Sequence, residues 1–138
     1  MCFKKKSRKN YYNFHFTISD LNTVNKNGRI YSKEVIESAF TNPVFKAVND
    51  NHILPILYSN GITDTVIGYC SLVNKYPDIE GEGFIIKHDK NKILVKNGYP
   101  CLQGVCDRVD ENGLIEGYEI SAICICDSSA HNCSFYVK

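Results

Sequence analysis

The chain has 138 residues, of which 43% are hydrophobic, 22% charged and 12% aromatic, and its formal net charge is +1. These proportions exclude a disordered or collagen-like chain, and the length suits one domain with a core of its own. No apolar run approaches the roughly 20 residues that cross a bilayer as a helix, so no membrane span is expected.

Charge is concentrated at the start. Lys4, Lys5, Lys6, Arg8 and Lys9 form a basic arm, and the remainder of the chain is net negative. Residues 1–10 are therefore read as an N-terminal arm and 11–138 as a single β-rich domain. Such an arm suits an acidic partner, an anionic surface or nucleic acid. Asn10, Asn13, His15 and Thr17 interrupt the segment after it, so the pattern of a signal peptide is not met.

Tyr11–Ile18 alternates, with Tyr12, Phe14, Phe16 and Ile18 on one face and Tyr11, Asn13, His15 and Thr17 on the other. That is the period of a half-buried strand. Asn27-Gly28 marks a tight turn. Ser32 then caps a helix over about 32–41, with Glu34 and Glu37 in its early turns and Val35, Ile36, Ala39 and Phe40 as its apolar stripe. Asn42-Pro43 starts a short second helix or turn over about 43–49, carrying Phe45 and Val48.

From Ile53 onward short apolar runs alternate with turn residues. The runs are Ile53–Tyr58, Thr65–Val73, Gly83–Lys87, Lys92–Val95, Cys101–Cys106 and Tyr118–Cys126, with Asn60-Gly61, Asn97-Gly98 and Asn112-Gly113 between them. This texture predicts antiparallel hairpins, and Ser134–Val137 reads as an edge strand. No internal repeat is evident, and Glu80-Gly-Glu-Gly83 is too short for a linker. The fold class expected is α+β: a β-rich, mostly antiparallel, barrel-like sheet with one clear helix and a short second one.

The seven cysteines read as reduced thiols that pack as small hydrophobes. Cys101/Cys106 and Cys124/Cys126, with Cys133 near His131, depart from the close-pair spacing of structural zinc sites. Neither a metal nor a cofactor is therefore expected. In a regular strand Cys124 and Cys126 share a face with Ile120 and Ala122, whereas Ser121 shares the other with Ile123 and Ile125.

Asn25-Lys-Asn-Gly-Arg-Ile-Tyr-Ser-Lys-Glu-Val-Ile36 is similar to the N-x-N-G-R-x-Y-P-x-E-V-L segment of the phage prohead (head maturation) protease family, with Ser32 where that family has Pro. Leu54-Pro-Ile-Leu-Tyr58 followed by Val66-Ile-Gly-Tyr69 resembles the strands that carry its catalytic histidine. Glu116-Gly-Tyr-Glu-Ile-Ser-Ala122 resembles the strand that carries its nucleophilic serine. The likeness spans about Leu21 to Asp127. It implies the herpesvirus-protease type of fold, with Ser121 at the nucleophile position.

A serine hydroxyl needs a base in hydrogen-bond reach to attack an amide. Where the family places that histidine, this chain has Ser59 and Asn60. His52 lies about six residues upstream, near 20 Å of extended chain. His88 sits in a polar turn beside Asp89, His15 on the polar face of the first strand, and His131 near the C-terminus.

The expectation is a non-catalytic structural component of a phage particle: an auxiliary or decoration protein of the head, or a head–tail part. It would contact the major capsid protein or other virion proteins, or further copies of itself, in the virion and in the host cytoplasm during assembly. The partner-binding residues expected are Lys4, Lys5, Lys6, Arg8, Lys9, Tyr11 and Tyr12, with the Tyr11–Ile18 strand offering an exposed edge. The alternatives are an active maturation protease using Ser121 with His52 as base, and a nucleic-acid or anionic-surface binder acting through the arm.

Overall fold

The computed structural model describes residues 10–59, 64–89, 91, 96–126 and 132–137, with the backbone alone for Ser59 and for 132–137. In chain order the elements are β1 (Tyr11–Ser19), α1 (Lys33–Thr41), α2 (Pro43–Asp50), β2 (Leu54–Ser59), β3 (Asp64–Lys75), β4 (Asp78–Ile86), β5 (Tyr99–Cys106), β6 (Tyr118–Cys126) and β7 (Asn132–Val137). The class is α+β. The seven strands form one sheet in the order β5-β6-β2-β3-β4-β1-β7. All neighbours are antiparallel except β2 and β6, which run parallel.

Two expectations change here. The barrel-like sheet is an open one: β5 curls back near β1 and β7, but among the described residues no backbone ladder joins them. The first strand is not an edge, because β1 pairs with β4 on one side and β7 on the other. The ladder edges are β5 and β7, the latter covering the predicted Ser134–Val137 strand. Just before β1, the Asn10 carbonyl accepts from the Lys87 N–H at 2.9 Å.

Local chemistry explains the helices. The Ser32 hydroxyl accepts from the Val35 N–H at 3.2 Å and caps α1, which buries Ile36 and Ala39. The Asn42 side chain accepts from the Val44 and Phe45 N–H groups, and Pro43 opens α2, which buries Phe45. Asn49 then fastens α2 to β3. Its amide donates to the Leu72 carbonyl at 2.9 Å and accepts from the Leu72 N–H at 2.7 Å, beyond the point where β2 stops pairing with β3.

The core joins Phe14, Phe16 and Ile18 of β1 to Ile36 and Ala39 of α1, Phe45 of α2, Leu54 and Ile56 of β2, and Ile120, Ile123 and Ile125 of β6. Its central device lies in β4. Glu80-Gly-Glu-Gly83 is neither linker nor punctuation but the middle of a strand that starts at Asp78. Gly81 stands opposite Phe16 and Gly83 opposite Phe14. A Cβ on Gly81 would fall 2.1 Å from the Phe16 ring, so the glycine makes room for the phenylalanine. The two glutamates are exposed.

An internal repetition that the sequence reading passes over also emerges. In Asn25-Lys-Asn-Gly-Arg-Ile30 the Asn25 Oδ1 accepts from the N–H groups two and four residues on, at 2.8 and 3.1 Å. In Asp110-Glu-Asn-Gly-Leu-Ile115 the Asp110 Oδ1 does the same, at 2.8 and 2.9 Å. Gly28 (φ 74°) and Gly113 (φ 87°) take the left-handed position of each turn. The two turns dock through a parallel bridge from Ile30 to Leu114. There Ile30 N–H donates to Gly113 O at 2.8 Å and Ile115 N–H to Ile30 O at 3.0 Å.

Candidate functional site

β6 carries Ser121, the residue that the resemblance sets at the nucleophile position, and its register with β5 slips there. Ala122 pairs with Gln103 and Ile120 with Gly104, so Ser121 is an extra residue, a β-bulge. The bulge resets the alternation. Ile120 joins Ile123 and Ile125 in the core, while Ala122 and Cys124 are buried outside that cluster. The regular-strand expectation that put Ile120 with Ala122 and Cys124 is therefore corrected. The reason is that a bulge lets side chains three apart share a face.

The Ser121 hydroxyl donates to the Gln103 carbonyl at 3.1 Å, across the slip. Ser121 is exposed and lines a groove of about 240 Å³ between α2 and the β5–β6 pair. Asn42, Val44, Phe45 and Val48 come from α2 and its cap, Leu54 from β2, Val105 from β5, and Glu119 and Ile120 from β6. Val44 is 76% exposed and Val105 62%, the two most exposed large hydrophobic residues among those described. The groove is thus an apolar trough whose polar groups are Asn42, Glu119 and Ser121.

Among the described residues no histidine lines the groove. His15 lies on β1 opposite Glu82, with Nδ1 3.9 Å from its carboxylate, four strands away from β6 in the sheet order. His88 is exposed in the turn after β4. His52 occupies a left-handed backbone position (φ 57°) just after α2, two residues before Leu54. Of the two, Leu54 reaches the groove and His52 does not. Ser59 ends the β2 backbone. Its side chain, Asn60 and His131 lie outside the described residues.

The expected partner-binding residues divide in the same way. Lys4, Lys5, Lys6, Arg8 and Lys9 lie outside the described residues. Tyr11 and Tyr12 are half-buried within the domain: Tyr11 meets Phe84 edge-on with ring centroids 4.5 Å apart, and the Lys87 ammonium stands 5.4 Å from the Tyr12 ring. Both tyrosines belong to the sheet surface, and Val44 and Val105 of the groove are exposed apolar residues that the sequence reading did not single out. No local sequence signal marks them, because the groove brings together α2, β2, β5 and β6.

Cys70 and Cys124 are buried, Cys101, Cys106 and Cys126 are half-buried, and no disulfide joins these five. Burial pushes the Cys70 thiol well up from its ordinary range. No metal-binding cluster occurs among the described residues.

One more cluster stands near the docked turns. Tyr31 and Tyr118 meet edge to face at 5.3 Å and share a hydrogen bond, and the Tyr76 hydroxyl donates to the Tyr31 carbonyl at 2.6 Å. Burial pushes both the Tyr31 and the Tyr118 phenols up from their ordinary value.

Among the described residues no helix is long and apolar enough to cross a membrane. Comparison with protein-family models, with curated proteins and with solved structures gives no match.

Proposed function

We propose that this chain is a non-catalytic structural component of a phage particle, built on a scaffold resembling that of the prohead proteases. It docks onto the major capsid protein or another virion protein through the α2–β5–β6 groove. In this reading the basic arm adds an electrostatic contact to acidic capsid or nucleic-acid surfaces, and the protein resides in the virion and, during assembly, in the host cytoplasm.

The observation that carries the non-catalytic reading is the setting of Ser121. Its hydroxyl donates to a backbone carbonyl, and among the described residues no imidazole lines the groove around it. A serine so placed has a structural duty and, among the described residues, no base to activate it. The docking reading draws on the two exposed valines that flank the groove, since contiguous exposed apolar surface with a polar rim is what protein partners cover.

The experiment is co-sedimentation with assembled capsids, paired with a processing assay on capsid and scaffold proteins. A Val44→Asp/Val105→Asp double variant should bind at least ~10-fold more weakly, as expected for losing about 1.4 kcal/mol or more of apolar contact. Ser121→Ala should bind as the unaltered chain does. Processing that the chain performs and Ser121→Ala abolishes would establish the protease alternative instead. Binding lost only on deleting residues 1–9, and steeply salt-dependent, would assign the function to the arm.

A further inference from the structure

Four cysteines lie on β5 and β6, and they form one registered pair: Cys101 stands directly opposite Cys124. Cys106 faces Tyr118 and Cys126 faces Tyr99, while Cys70 lies on β3 between Leu54 and Gly83. Directly opposite residues on antiparallel strands have Cα atoms about 4.5 or 5.5 Å apart. Both values fall inside the window of roughly 4.4–6.8 Å that a disulfide spans. The diagonal Cys101–Cys126 approach, about 7–8 Å, falls outside it. Exposure differs across the pair: Cys101 is half-buried, and Cys124 retains 7% of its surface.

We infer that Cys101 and Cys124 form a reversible cross-strand disulfide on two-electron oxidation by a peroxide. Cys101 is the attacking thiol, being the one solvent reaches. Its sulfur, as thiolate, attacks one oxygen of hydrogen peroxide; the O–O bond breaks, and the departing hydroxide takes up a proton and leaves as water. The sulfenic acid so formed on Cys101 lies opposite Cys124. The Cys124 sulfur displaces its hydroxyl group, which leaves as a second water with the Cys124 proton, as the S–S bond forms and the S–O bond breaks. Two electrons have passed from the sulfurs to the peroxide, and a dithiol reductant returns the pair to thiols.

The bond bolts the edge strand β5 onto β6. Those two strands carry Val105, Glu119, Ile120 and Ser121 of the groove, so its wall is held more rigidly in the oxidised chain. Strand register alone places the two Cα atoms within the span of a disulfide, whether or not the groove binds a virion protein.

The test treats the native chain with hydrogen peroxide, removes the excess, then denatures it and alkylates the remaining thiols before mass spectrometry. Alkylation should fall from seven sites by two. Fragmentation should place the bond between Cys101 and Cys124, and reductant should restore both sites. Cys126→Ser should leave the bond intact, and Cys101→Ser should leave all its remaining thiols alkylatable. A bond mapped from Cys101 to Cys126 or Cys106 would overturn the inference. So would oxidation that ends at sulfinic acid on Cys101 with Cys124 still alkylatable. The mapping is made on the unaltered chain, so its outcome does not depend on how any variant folds.

Discussion

Asn49 shows how one side chain can stand in for a strand. β2 stops pairing with β3 at Leu54–Cys70, which leaves the N–H and C=O of the buried Leu72 facing α2. The Asn49 amide satisfies both groups at once. Asn49→Leu keeps the approximate size but strands a backbone donor and an acceptor, each costing about 1–3 kcal/mol. Loss of about 2–6 kcal/mol is therefore expected, read as a lower urea midpoint with an unchanged slope. Gly81 is a second position of this kind. A Cβ there would meet the Phe16 ring, so Gly81→Ala should cost about 1–3 kcal/mol through overpacking in the same assay.

At the scale of elements, β6 makes the sharpest case. Its bulge is what allows Ile120 and Ile123, three residues apart, to share one core. Deleting Ser121 removes the extra residue yet keeps Ile120 in step with Ile123 and Ile125. That variant should fold, losing about 1 kcal/mol with the Gln103 hydrogen bond. Deleting Cys124 instead sets Ile123 and Ile125 on opposite faces. Exposing one of these isoleucines and opening the core should cost about 4 kcal/mol or more. Far-UV circular dichroism melts of the two deletions distinguish the outcomes.

The same strand marks the limit of what the sequence discloses. The extent of β6, the Ser32 and Asn42 caps and the alternation of β1 were all legible, because each depends on residues close by in the chain. The bulge was not, since its cause is a pairing with β5. Nor was the run through Gly81 and Gly83, where glycine looks like a turn residue until Phe14 and Phe16 are seen opposite. Ser121 could be picked out from its neighbours, but the groove around it is assembled from α2, β2, β5 and β6 and has no local signature.

For the molecule as a whole, the buried phenols set an alkaline limit. Tyr31 and Tyr118 hold their protons to higher pH folded than unfolded, because burial disfavours the phenolate. An unfolded tyrosine ionises near pH 10. Below that pH both states are protonated and the full contribution is present. Above it the unfolded chain releases protons that the folded chain keeps, so stability falls as pH rises. Melting temperatures measured from pH 8 to 11 should be flat at first and then drop beyond about pH 10, and Tyr118→Phe should soften that drop.

The paired turns have a bearing on how the chain finds its shape. Each one closes on its own backbone and its own Asn25 or Asp110 carboxamide or carboxylate oxygen, so each can order within microseconds without help from distant segments. The costly event is the meeting of two pieces from opposite halves of the polypeptide. Here the pieces arrive already stiff, and the Ile30–Leu114 bridge joins them like a latch, pulling the ends of a long intervening stretch into register.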